Sequence, residues 1–135
     1  MNLEALLAVD AGKLNPKQEK KVEIPRLSEA IGEPFIVTLR SIDSERWGEI
    51  QNQAIQVGRK GNTSVDLVKL NRMILLDGIV DPFLGDPQLL KHFGAVTPVE
   101  LLDKLFSPGE MQMLTAAINE LAGMGDEEVV TEVKN

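Results

Sequence analysis

The stretch Val65–Val80, "VDLVKLNRMILLDGIV", decides the fold because its second half is apolar on nearly every side. The run from Met73 to Leu76, with Ile79 and Val80 after it, leaves no broad polar stripe. A helix of this kind is usually central in a bundle rather than on a surface. Ser64 stands at the position of an N-cap. The stretch therefore predicts a central helix that starts after Ser64.

The last third of the chain carries two repeated helix-start signals. Thr97-Pro98-Val99-Glu100 and Ser107-Pro108-Gly109-Glu110 each place a hydroxyl at the N-cap, a proline at N1 and a glutamate at N3. In a capping box the hydroxyl accepts from the N3 amide and the glutamate accepts from the cap amide, and proline at N1 loses no helical hydrogen bond. Asp86-Pro87 opens a further short segment. These signals predict short helices joined by tight corners.

Between residues 22 and 39, two segments show apolar residues that alternate with a period of two. Val22 and Ile24 share one face, and Phe35, Val37 and Leu39 share another, which predicts two short strands. Pro25 would confine the first to a sheet edge, and Gly32 would supply the turn. After Asp43 the apolar residues follow at spacings of three and four, which predicts a helix; they are Trp47, Ile50, Ala54 and Val57.

We therefore predict an α+β fold that is mostly α, with an N-terminal β-hairpin or two short strands followed by a bundle of about four to five helices. Residues 1–18 would form an amphipathic segment and linker, residues 19–123 one globular domain, and residues 124–135 a flexible acidic tail.

Composition excludes several functions. The 135 residues contain no cysteine and one histidine, His92, and the net charge is -7. Thiolate chemistry and His-rich metal sites are absent, and the acidic balance argues against nucleic-acid binding. No apolar run reaches the roughly 18 residues of a membrane span. We expect no cofactor, no nucleic acid and no membrane among its ligands.

Two carboxylates four residues apart, Asp77 and Asp81, admit two interpretations. They could serve acid–base chemistry or hold a cation. Alternatively, Asp77-Gly78 ends a helix and Asp81-Pro82 turns the chain so that Phe83 and Leu84 project. We favour the second interpretation. His92 precedes Phe93 and Gly94, which is typical of a helix end, so we predict no catalytic or metal-binding residue.

Apolar residues without an obvious place in the core are candidate partner-binding residues. A terminal amphipathic segment offers a docking stripe, Phe83 and Leu84 offer projecting anchors, and adaptable methionines suit a face that accepts varied helices. The partner-binding residues predicted on this basis are Leu3, Leu6, Leu7, Phe83, Leu84, Met111, Met113 and Leu114.

The order of these elements resembles the XkdN-like phage tail assembly chaperones of phages and prophages of Gram-positive bacteria. The resemblance rests on "MNLEALL", "FIVTLRSIDSERWGEIQNQA", "VDLVKLNRMILLDGIVDPFL" and "LLKHFGAVTPVELLDKLFSPGEMQMLTAAINELAGM". It implies a non-enzymatic protein that binds the tape-measure protein and keeps it soluble until tail-tube subunits polymerise. A longer frameshifted form would recruit the tail-tube protein. Self-association is compatible with this function.

The same resemblance implies a location in the host cytoplasm and absence from the mature virion. The alternative is a structural tail or neck component, which would be present in purified particles. A third interpretation, an enzyme or metal protein centred on Asp77, Asp81 and His92, would show chelator-sensitive melting.

Overall fold

A computed structural model describes residues 2–14 and 18–124. Within these ranges, eight α-helices and five short strands form a helical body and two small antiparallel sheets. In chain order they are α1 (Asn2–Ala8), α2 (Ala11–Leu14), β1 (Glu19–Glu23), α3 (Pro25–Ile31), β2 (Ile36–Arg40), α4 (Ser44–Gln53), β3 (Ile55–Val57), β4 (Thr63–Val65), α5 (Leu67–Gly78), β5 (Ile79–Asp81), α6 (Pro87–His92), α7 (Pro98–Leu105) and α8 (Pro108–Leu121). A fold of mixed α and β structure that is mostly helical is therefore confirmed.

The two short N-terminal strands are present, but they are not joined by a hairpin turn. β1 and β2 do pair antiparallel, with Val22 opposite Val37, but α3 lies between them. Pro25 occupies the first turn of α3, and Gly32 ends it with a φ of 81°. These two residues form the two ends of a helix, because proline suits N1 and glycine suits the left-handed cap.

The second strand is the centre of a three-stranded sheet of order β1-β2-β5. Val37 and Leu39 are completely buried and Phe35 packs partly against the core, as their alternation predicted. Arg40, on the opposite face, is exposed. β1 lies at the edge of the sheet as predicted, but Pro25 is not the reason, because it lies in α3 and outside the strand.

The segment between α4 and α5 is a β-hairpin that the sequence analysis did not predict. Ile55 of β3 pairs with Val65 of β4, so α4 does not continue to Val57. Ser64 lies inside β4, and the N-cap of α5 is Asp66, whose side chain accepts from the amide of Lys69. The predicted Ser64 cap is therefore wrong by two residues.

The central position of α5 is confirmed, since it packs on α4, α7 and α8. Ile74 and Leu75 of α5 are almost fully buried, as are Leu114 and Ile118 of α8. Gly78 lets the two helices approach, because a Cβ there would lie 2.8 Å from Ile118 Cγ1 and 2.9 Å from its Cγ2.

Of the two helix starts of the last third, the one at Ser107 has the predicted capping box and the one at Thr97 has half of it. The Ser107 hydroxyl accepts from the Glu110 amide, and the Glu110 carboxylate accepts from the Ser107 amide. The Thr97 hydroxyl accepts from the Glu100 amide, but the Glu100 carboxylate takes the amide of Val96, one residue before the cap.

At the N-terminus, α1 and α2 have no buried residue. Residues 125–135, where we predicted an acidic tail, lie outside the described residues.

Candidate functional site: an apolar groove

A groove of about 440 Å³ runs between α3, α6 and α7. Its volume falls within the range of about 300–1,000 Å³ that is usual for ligand sites. Apart from two cations its lining is apolar, and it comes from three helices, from the residue before β2 and from the residue after β5. The lining residues are Arg26, Leu27, Ala30, Ile31, Phe35, Pro82, Leu89, Phe93, Lys104 and Leu105.

Local sequence positions each wall of the groove. Proline at the start of α3 and Gly32 at its end fix that helix at seven residues, with Leu27 turned inward and Ile31, at its last residue, 53% exposed. The opposite wall begins where Asp86 caps α6 by accepting from the amides of Gln88 and Leu89. Helix caps therefore position both walls of the groove.

One end of the groove is fixed by an arginine that reaches two elements. The Arg26 guanidinium donates from Nε and Nη2 to both oxygens of Glu110, at 3.0 and 2.8 Å, and from Nη2 to the Leu105 carbonyl at 2.8 Å. Arg26, helped by the Ser107 amide, lowers the pKa of Glu110 to about 2. The paired Glu110 is therefore ionised at neutral pH, and α3 is tied to the corner between α7 and α8.

The mouth of the groove carries exposed apolar and cationic groups. Ile31 and Phe93 are both partly exposed to solvent, and the His92 ring meets Phe93 edge to face. Lys104 forms no ion pair with any of the described residues. The arrangement can bind an apolar stripe flanked by acidic groups.

The Asp77 carboxylate is engaged by two arginines. Asp77 accepts from Arg46 Nε at 2.8 Å and lies 3.8 Å from Arg40 Nη2, so it ties α5 to α4 and to the sheet. Within the described ranges, no group of three or more acidic or histidine side chains is placed to hold a metal. His92 is the last residue of α6, as predicted.

The residues predicted to project after Asp81 separate into two environments. The Asp81–Pro82 peptide bond is cis, and Pro82 lines the groove. Phe83 is 68% exposed, next to Pro82, whereas Leu84 is only 4% exposed and belongs to the core. The expectation that Leu84 projects is therefore wrong; its side chain contributes to stability.

The predicted face on α8 is also divided. Met113 is 43% exposed, and Met111 is partly buried against the core. Leu114 is completely buried and faces α5 rather than solvent, because its spacing of four from Ile118 places both on the inner side. The placement of Leu114 on an open face is wrong.

The amphipathic stripe at the N-terminus is open to solvent. Leu3, Leu6 and Leu7 are 60%, 58% and 78% exposed and lie on α1 at spacings of three and four. Their exposure is the one expected of a docking segment, and their partner role stays a prediction.

The β3–β4 hairpin is a further apolar surface that the sequence analysis missed. Ile55, Val57 and Val65 are all exposed, and Ile55 pairs directly with Val65. β-branched residues at alternate positions 55 and 57 were the available signal. None of these residues lines the groove.

Comparison with known proteins gives the family. A family model for phage XkdN-like tail assembly chaperone proteins matches residues 3–134, nearly the whole chain. The chain belongs to the XkdN-like phage tail assembly chaperone family. The resemblance seen in the sequence is thus confirmed.

The fold of this family member is also found in a solved structure. The crystal structure of the protein YqbN superposes with a TM-score of 0.61 at 19% identity, covering 86% of this chain and 98% of that one. At that identity the likeness shows the fold alone. A search of curated proteins finds no match. Across residues 2–14 and 18–124, none of the family member's helices is both long and apolar enough to span a bilayer.

Proposed function

We propose that this chain is a non-enzymatic chaperone that binds the tape-measure protein through the groove between α3, α6 and α7. The bound client would stay soluble until the tail tube assembles around it. The observation that carries the proposal is a concave apolar groove, open to solvent at Ile31 and Phe93, in a member of a tail assembly chaperone family.

The client's chemistry suits this groove. A tape-measure protein is a very long helical chain whose exposed apolar stripes would aggregate in water. A helix binds a groove through anchors at spacings of three and four residues. The groove supplies apolar walls for such anchors, and Lys104, which has no ion-pair partner among the described residues, supplies positive charge for an acidic residue beside them.

The charge of the whole chain supports the same function. A net charge of -7 per copy would make a client covered by several copies strongly acidic, and mutual repulsion keeps such complexes dispersed. A longer frameshifted form would extend from the C-terminus and recruit tail-tube subunits. The chaperone would act in the host cytoplasm and leave before the virion is complete.

The test is co-expression with the tape-measure protein of the same genome. We expect the client to become soluble and to co-purify with the wild-type chain. Ile31→Asp places a charge at the groove mouth, on a residue already half exposed, and should lower client recovery several-fold. Val57→Asp is the matched control, since it removes an aliphatic side chain that is 75% exposed outside the groove.

Four results would contradict parts of this proposal. An insoluble, unbound client would refute binding by this form of the protein. If Ile31→Asp recovers as much client as the wild type, binding lies outside the groove. If only Val57→Asp loses the client, binding lies on the β3–β4 hairpin. Stoichiometric presence of the chain in purified particles would support a structural tail or neck component instead.

A further inference from the structure

The helix α1 is a short amphipathic helix, and none of the other described residues buries it. All seven of its residues are exposed, and its leucines at positions 3, 6 and 7 form a stripe with the spacing of helix-in-groove anchors. A helix of seven residues is too short to persist alone in water, where about 12–15 residues are marginal even for good helix formers. The stability of α1 therefore requires a surface that covers this stripe.

The groove between α3, α6 and α7 has the shape that α1 requires. It is concave and apolar, and Ile31 and Phe93 at its mouth are partly uncovered, like the leucines of α1. Burying a leucine side chain fully is among the larger single contributions to association. The chain thus carries two incomplete apolar surfaces, a helix stripe on α1 and a concave one in the groove.

Their charges are complementary as well. α1 carries one charged side chain, Glu4, and Asp10 follows it before Lys13 of α2. Of the two cations that line the groove, Arg26 is already paired with Glu110. Lys104, which has no ion-pair partner among the described residues, therefore supplies the unpaired positive charge. A docking helix with an acidic residue beside Lys104, such as Glu4, is therefore favoured at this site over a basic one.

We propose that α1 of one copy docks in the groove of a second copy, so that the free chaperone covers its own client site. This inference rests on the proposed function, because it assigns a second ligand to the same groove. Within one chain α1 lies outside the groove, with its leucines in solvent. Ten residues, 9–18, separate α1 from β1, and four of them form α2; with α2 unwound they can span at most roughly 33 Å.

The contact joins two different surfaces, so it is heterologous. Reciprocal exchange of α1 between two copies closes into a dimer, and one-way exchange continues into a chain of copies. In either arrangement a client helix competes with α1 for the groove. Client binding then releases α1, and the fraction of copies in the self-associated state falls as client is added.

The first experiment measures the mass of the full chain by light scattering over a series of concentrations. We expect the wild type to associate as its concentration rises. Leu6→Asp/Leu7→Asp, which changes only exposed residues, and Ile31→Asp in the groove should each weaken association at least about tenfold. Val57→Asp on the hairpin should associate like the wild type. Circular dichroism checks that each variant is folded.

A mixing experiment then identifies the contact. The α1 variant retains an intact groove, and the Ile31→Asp variant retains an intact α1. Mixing the two should restore association in a 1:1 ratio, while each alone stays monomeric. A mixture that remains monomeric, a wild type that is monomeric at every concentration, or an α1 variant that associates normally would overturn the inference.

Client co-expression separates this inference from the proposed function. Both self-association and client solubility are read on the wild-type chain, because Leu6 and Leu7 are themselves among the residues predicted to bind a partner. A wild type that self-associates through α1 but leaves the client insoluble would refute the proposed function and leave the α1 contact standing. A soluble client with a wild type that never associates would refute the α1 contact alone.

Discussion

Arg26 and Glu110 are 84 residues apart in sequence and form a bidentate ion pair at 2.8 and 3.0 Å. The same arginine also donates to the carbonyl of Leu105. One side chain of α3 therefore satisfies the last turn of α7 and the capping glutamate of α8. This arrangement fixes the width of the groove at one end.

The ion pair predicts a specific pH dependence. The folded pKa of Glu110 is lowered to about 2 from an ordinary value of 4.5, so its stabilising contribution is complete above about pH 4.5. That contribution is lost as the pH falls toward 2, because the folded state must then give up a carboxylate that the unfolded state has already protonated.

Glu110→Gln isolates this effect, since glutamine can still accept from the Ser107 amide. We expect the variant to be less stable than the wild type at neutral pH and to converge with it at about pH 2. Denaturant unfolding followed by the fluorescence of Trp47, the only tryptophan, gives both curves. If the variant remains less stable than the wild type at the lowest pH, its loss of stability is not due to the charge of Glu110.

Gly78→Ala should destabilise the protein by about 1–3 kcal/mol, the usual cost of overpacking. The added methyl group would meet the side chain of Ile118, which is completely buried. Thermal unfolding measures the change. A neutral result would mean that α5 and α8 can separate without cost.

Gly48→Ala is the matched control for that substitution. Gly48 lies inside α4, and a Cβ added there would have open space within 4 Å. The same chemical change should therefore stabilise the protein by about 0.5–1 kcal/mol, because alanine is the better helix former. If both variants lose stability, the contact with Ile118 is not the cause.

Leu84 and Phe83 should respond in opposite ways to truncation. Leu84→Ala removes a buried side chain and should cost about 2–5 kcal/mol, whereas Phe83→Ala at an exposed position should cost less than about 1 kcal/mol. Unfolding midpoints in urea distinguish the two. Similar losses at both positions would show that Phe83 is also part of the core.

Removal of divalent cations should leave the melting temperature unchanged. Asp77 is neutralised by Arg46 at 2.8 Å, so its carboxylate has no need of a metal. Melting in the presence of a chelator, and again with added Mg²⁺ or Ca²⁺, makes the measurement. A shift of several degrees with either additive would restore the metal-site interpretation of Asp77 and Asp81.

The sequence alone determined the elements whose signals lie within one helical turn. Ser107 and Glu110, or Thr97 and Glu100, are three residues apart, so their hydrogen bonds form as soon as the local helix forms. The alternation of Val37 and Leu39 determined the buried face of β2 in the same way. Family membership followed from the order of such segments. The β3–β4 hairpin was missed because its strands have three residues each and leave too short a pattern.

Only the tertiary structure decided which apolar residues stay open to solvent. Phe83 and Leu84 are adjacent in sequence and both are large and apolar, so the sequence gives no reason to bury one rather than the other. The packing of distant elements leaves Phe83 in water and buries Leu84 in the core. Gly78 weakens a helix in isolation, yet here it admits Ile118 of another helix. The groove, too, exists only where α3, α6 and α7 meet. Burial depends on contacts between residues far apart in sequence, and no local pattern contains that information.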